Sequence, residues 1–117
     1  MRRGEIWWAD LGPHRAMEQT GRRPVVVWQS ETLLRALHSV LVVPLTTNLS
    51  RAKLAETALL TASTGGLEAD SVALAFQMRA VPKTSLTQRI RHLTDEELEE
   101  LELATDEALG RAEPEAR

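Results

Sequence analysis

Through the first three-quarters of the chain, apolar residues come in short, valine-rich runs separated by turn residues, and this spacing limits the fold more than any other feature. Runs of this length suit strands, and few are long enough for a helix. Seven candidate strands follow: Glu5–Asp10, Pro24–Gln29, Ser39–Thr46, Glu56–Thr61, Ser71–Gln77, Ala80–Pro82 and Arg89–His92. Helix-length crossovers are missing between them, which disfavours a parallel sheet. The connection Leu11–Arg23 is long, Ser63–Gly66 ("STGG") is a tight-turn signal, and Ser30–Leu37 suits a short helix with Ser30 as its N-cap.

The C-terminal pattern is different. Thr94 and Glu97 form the T-x-x-E capping box, with Leu93 and Leu98 placed to close as a hydrophobic staple. Leu98, Leu101, Ala104, Thr105 and Ala108 then share one helical face, predicting a helix over about Asp95–Gly110 packed on a sheet. Short antiparallel strands followed by one amphipathic helix predict a mainly β, SH3-like barrel that hides its edges by closing or pairing. With 117 residues there is room for one domain, expected over residues 1–111, with 112–117 as a flexible tail.

The absence of cysteine removes disulfides, thiolate metal sites and thiol nucleophiles from consideration and is compatible with a cytoplasmic location. No segment has the length of a signal peptide's apolar core or of a membrane span. The net charge of −3 conceals an asymmetry. Residues 1–93 carry twelve Lys and Arg against seven Asp and Glu, and residues 94–117 carry two against ten. A basic body with an acidic C-terminal segment allows a polyanion to dock on the body; an acidic, solvated helix explains the same charges without a ligand.

Four motifs, "RGEIWWADLGP" (Arg3–Pro13), "EQTGRRPVVVWQ" (Glu18–Gln29), "VVPLTTN" (Val42–Asn48) and "DSVALAFQMRAVPKTSL" (Asp70–Leu86), stand in an order and spacing that resembles the MazF/PemK family of toxin endoribonucleases. The resemblance implies an SH3-like barrel, a homodimer, metal-independent cleavage of single-stranded RNA at short sequences, and inhibition by a cognate antitoxin. It implies no cofactor. The family's Glu-Gln-x-Gly-x-Arg-Pro motif falls on Glu18, Gln19, Gly21, Arg23 and Pro24, which maps its catalytic arginine to Arg23 and its catalytic threonine to Thr46. Members often have Ser where this chain has Met17, and Asn-Asp where it has Ser30-Glu31. Those departures bear on loop shape and on the RNA sequence read, so no cleavage sequence is carried over.

Without a metal, the substrate's own 2′-hydroxyl serves as nucleophile, and the protein must stabilise charge on phosphorus and move two protons. A guanidinium presents paired donors to phosphate oxygens and stays charged at neutral pH, which suits Arg23 to the first task. Such preorganised charge is worth roughly 3–4 kcal/mol per good donor where water is partly excluded. Thr46 is a poor base and is expected to orient the 2′-hydroxyl or a phosphate oxygen. Glu18 is the candidate base if its loop folds over the substrate. On sequence alone, ordinary roles compete: Arg23 pairing with Glu18 or Glu5, and Thr46 bonding to backbone.

Arg15 and Arg22 in the loop, with Arg51 and Lys53 after Thr46, are expected to line an RNA groove, and Gln77 to read a base edge. His14, Gln19, Thr47 and Asn48 complete the expected contacts, with a solvated loop residue as the alternative for His14. His38 and His92 read as surface residues beside strand ends, and the carboxylates of Asp95–Glu102 as a solvated helix face; no metal site is expected. Trp7, Trp8 and Trp28 lie in strands and suit core packing, although alternation puts Trp7 and Trp8 on opposite faces, leaving one exposed or at a dimer contact. A reading of another class stays open: a non-catalytic toxin on this fold, either a CcdB-like gyrase poison or an RNA-binding module.

Overall fold

A computed structural model describes residues 1–13 and 21–111. Its strands are β1 (Glu5–Asp10), β2 (Arg22–Val27), β3 (Ser39–Thr46), β4 (Thr57–Leu60), β5 (Ser71–Leu74), β6 (Arg79–Pro82) and β7 (Leu86–His92). The helices are α1 (Glu31–Ala36) and α2 (Asp95–Ala108). All pairings are antiparallel and form one seven-stranded sheet. Strand order is β4-β5-β3-β2-β1-β7, with β6 also on β3. The architecture is the expected mainly β fold with a C-terminal helix, and the strand path among the described residues is open. No helix among them is long and apolar enough to cross a membrane.

The run "VVV" carries no alternation because β2 is buried on both faces. Val26 faces a core with Ile6, Trp28, Val43, Leu45, Leu60 and Leu101, while Val25 and Val27 face a second core with Val40, Val42, Val81 and Leu86. Strand β3 is the hinge of the sheet. Its residues Ser39–Val42 pair with β6 and Leu45–Thr46 with β5, and Pro44, which has no N–H to offer a ladder, stands between the two partners.

Strand boundaries differ from the sequence expectation in ways that side chains explain. Strand β2 starts two residues early, because Arg22 and Arg23 pair with Asp10 and Ala9; β3 joins only at Val25, so Pro24 has an unpaired edge for its missing donor. It ends early because the buried Gln29 accepts from the Leu41 N–H with its side chain. The expected strand Ser71–Gln77 breaks at Ala75 into a 3₁₀ turn, where Ala75 donates to the Glu56 carbonyl. Strand β7 is longer than expected, its Leu86 and Gln88 pairing with Ala9 and Trp8 of a β1 that carries two register shifts.

Ser30 caps α1 as expected, its hydroxyl accepting from the Leu33 N–H. Helix α2 has both bonds of the Thr94–Glu97 capping box and buries Leu101 and Ala104, while the indole N–H of Trp28 donates to Thr105 at 2.8 Å. Arg91 clasps Glu97 through two parallel bonds of 2.7 and 3.0 Å, tying the start of α2 to β7. The helix stops two residues before the expected Gly110, which turns the chain at a φ of +72°. The expected tail, 112–117, lies outside the described residues.

Candidate active site

The β1–β2 register brings Trp8, Arg22 and Arg23 to one end of the sheet, where β3 ends at Thr46. Arg23 is half-buried, and its Nη1 donates to the Leu45 carbonyl oxygen at 3.1 Å. This bond is possible because β2 and β3 pair in register as far as Val25 and Pro44, so the next residues along each strand lie side by side. Burial pushes the Arg23 guanidinium below its ordinary pKa; a cation held partly out of water is a stronger electrostatic donor than a solvated one.

Thr46 is also half-buried, and its Oγ1 accepts from the Asn48 N–H at 3.2 Å. That is the backbone-bonding role open to any strand-end threonine, and it leaves the hydroxyl hydrogen free to donate elsewhere. Asn48 turns its Oδ1 back onto the N–H and hydroxyl of Ser50, capping the 3₁₀ turn Leu49–Lys53. Glu5, considered above as a partner for Arg23, accepts instead from Arg89 at 2.6 Å, from the Arg2 N–H at 2.7 Å and from Trp7 at 3.2 Å.

A cavity of about 250 Å³ opens beside this pair, with Arg22, Arg23, Leu45 and Thr47 among its walls. The structure therefore unites Arg22, Arg23 and Thr47 in one cavity, with Thr46 next to it in sequence. Arg51 and Lys53 are exposed on the following 3₁₀ turn, and Gln77 is half-buried at the end of another; none of the three lines the cavity. His14, Arg15, Glu18 and Gln19 lie outside the described residues.

Trp8, Leu67 and Glu68 are among the lining residues that were not expected in the site. Only Trp8 left a signal, in the alternation that sends it and Trp7 to opposite faces: Trp7 packs on the second core, and Trp8 lies half-buried beneath the Arg22 guanidinium, 4.2 Å from its ring centre. Trp28 is buried as expected, with Arg3 over its ring at 4.0 Å. His92 is exposed, both ring nitrogens within 3.0 Å of main-chain oxygens, and His38 is exposed at the start of β3. Among the described residues, no three His, Cys, Asp or Glu side chains are grouped to hold a metal ion.

Known proteins place this arrangement in a family. Residues 2–109 match the sequence profile described as PemK-like, MazF-like toxin of type II toxin-antitoxin system. The chain is 36% identical to Endoribonuclease MazF of Staphylococcus saprophyticus over 94% of its length and 92% of the relative's. It is 38% identical to Endoribonuclease EndoA of Bacillus subtilis over 93% of its length and 90% of the relative's. The fold superposes on an endoribonuclease solved with its cognate antitoxin from a mycobacterial species, with a TM-score of 0.80, 22% identity, and 97% and 99% of the two chains covered. It superposes on MazF from Deinococcus radiodurans with a TM-score of 0.78, 20% identity, and 94% and 96% covered. With a profile match across nearly its whole length and relatives above one-third identity, this chain belongs to the PemK-like, MazF-like family of type II toxin–antitoxin toxins.

Proposed function

We propose that the protein is a sequence-specific, metal-independent endoribonuclease for single-stranded RNA, inhibited by a cognate antitoxin. The observation that carries this reading is the half-buried Arg23 guanidinium, anchored on the Leu45 carbonyl one residue before Thr46. The names of its relatives, two endoribonucleases and one solved with its antitoxin, support the same reading.

In the proposed step, the 2′-hydroxyl loses its proton and its oxygen attacks the adjacent phosphorus. The P–O5′ bond breaks, and the departing oxygen takes a proton. The products carry a 2′,3′-cyclic phosphate and a 5′-hydroxyl. Arg23 stabilises the extra negative charge on the pentacovalent phosphorus, where a fixed donor costs no reorganisation as charge develops. Thr46, its oxygen fixed by the Asn48 N–H, uses its free hydrogen to orient a phosphate oxygen or the nucleophile. Glu18 is the proposed base.

Arg15, Arg22, Arg51 and Lys53 follow the phosphates, and His14, Gln19, Thr47, Asn48 and Gln77 contact sugar or base. A homodimer is part of the proposal: Leu49, Leu54 and Phe76 are 48%, 44% and 41% exposed, apolar surface of the kind that a second copy covers. Sedimentation as a dimer at micromolar concentration is the expected result, and a monomer contradicts it.

Incubation of the purified protein with long single-stranded RNA in the presence of chelator tests the activity. Discrete fragments with a shared sequence at their ends are expected; intact RNA beside inhibited gyrase supercoiling would replace the nuclease with a gyrase poison.

A further inference from the structure

The cavity beside Arg23 is better furnished than a phosphate site requires. A phosphate needs donors, yet Glu68 stands on the cavity wall with no hydrogen bond or ion pair among the described residues. The buried Ser71 hydroxyl gives its proton to the Ala69 carbonyl at 3.0 Å and so offers lone pairs. These acceptors share the cavity with a flat wall, the Trp8 indole under the Arg22 guanidinium, and with apolar surface from Leu45 and Leu67.

Resting on the endoribonuclease reading, we propose that this cavity is the recognition subsite for one nucleobase next to the scissile phosphate. It selects a base that presents amino hydrogens over uracil. Bases splayed from single-stranded RNA stack on aromatic rings and guanidinium planes, and are told apart by hydrogen bonds to their edges. A carboxylate accepts only, so it rewards an amino group and repels the carbonyl that uracil puts in its place. At about 250 Å³ the space lies just under the roughly 300–1,000 Å³ of sites that enclose a drug-sized ligand, which suits a single ring system.

Specificity needs a stiff support, and the loop bearing Glu68 is pinned at three points. Ala62 donates to Asp70 at 2.7 Å across the loop, Arg91 donates to the Gly65 carbonyl at 2.7 Å, and Ser71 holds Ala69. Gly66 lies so close to β7 that a Cβ there would meet Ile90 at 2.7 Å.

The test is cleavage of a randomised single-stranded RNA pool by the wild-type chain and by Glu68→Gln and Glu68→Ala, with the new ends sequenced and thermal melting run alongside. The amide of glutamine adds a donor, so Glu68→Gln should admit uracil at one position beside the cut. Discrimination there should fall by about tenfold or more while the other positions keep their preferences. Glu68→Ala should lose selectivity at the same position with the melting curve retained. A wild-type pattern that both variants reproduce overturns the subsite and leaves the nuclease standing. A wild-type protein that cuts nothing overturns the nuclease reading and the subsite with it.

Discussion

Arg23 and Leu45 lie 22 residues apart in sequence and meet at 3.1 Å, guanidinium to main-chain oxygen. Because Leu45 also belongs to the core under α2, the cation is anchored to the main chain of a fully buried residue. Arg23→Ala removes the hydrogen bond to the Leu45 carbonyl, which by itself contributes about 1 kcal/mol, and should leave unfolding cooperative. In the proposed mechanism the Arg23 charge faces the phosphorane, so RNA cleavage should fall at least about a hundredfold. Arg23→Lys restores the charge without the planar fork and should recover only part of the rate. Wild-type activity in Arg23→Ala would remove this residue from the mechanism.

Thr46 invites a subtler substitution. Thr46→Val keeps the branched shape and deletes the hydroxyl that accepts from Asn48. If that hydroxyl orients the substrate, turnover should drop about tenfold or more with KM little changed, and Thr46→Ser should restore most of it. Equal loss in the serine and valine variants would show that shape, and not the hydroxyl, is what the site needs.

The buried carboxylates predict how stability depends on pH. For Glu97, burial pushes the pKa up, but the bonds from Arg91 and Thr94 more than offset it; for Glu5, burial is likewise outweighed, by Arg89, the Arg2 N–H and Trp7. Both therefore sit below the ordinary value of 4.5 in the folded state. The unfolded chain binds more protons, so both groups stabilise fully above that value, and the contribution is lost as pH falls through the lowered folded-state values. Urea midpoints measured at decreasing pH should fall along an acid limb that becomes shallower in Glu97→Gln. At neutral pH the same variant should lose about 1–3 kcal/mol, because Arg91 keeps its charge with its main partner gone. An unchanged acid limb would deny Glu97 this role.

Gly66 takes a φ of +81° with Ile90 against it, so Gly66→Ala combines a strained backbone with a steric clash. A loss of about 1–3 kcal/mol is expected by denaturant unfolding. A variant as stable as the wild type would show that the turn is looser than its contacts imply.

Much of this was legible in the sequence, for identifiable reasons. The capping box and apolar face of α2 are local patterns, and they form as written. Strand β3 was readable end to end because its eight residues "SVLVVPLT" stand between clear breaks. Strand β7 was half-hidden, since its partner β1 and not its own alternation holds Leu86 and Gln88 in the sheet. Within the candidate site, Arg23 and Thr46 are named by motif order, whereas the proposed role of Glu68 has no signal in the sequence. Its place on the cavity wall depends on Gly65, Asp70 and Arg91, contacts that no local pattern announces.

In the proposed mechanism the RNA supplies its own nucleophile to a site built on Arg23. This is tested most directly with an RNA carrying one cleavage sequence, made with ribose throughout or with a single deoxyribose just 5′ of the scissile phosphate, and with product ends read by mass spectrometry. The all-ribose strand should yield a 2′,3′-cyclic phosphate and a 5′-hydroxyl with or without chelator, and the deoxy-substituted strand should stay intact at that bond. Cutting at the deoxy-substituted bond, or a 5′-phosphate on the product, would contradict this mechanism and require a water nucleophile.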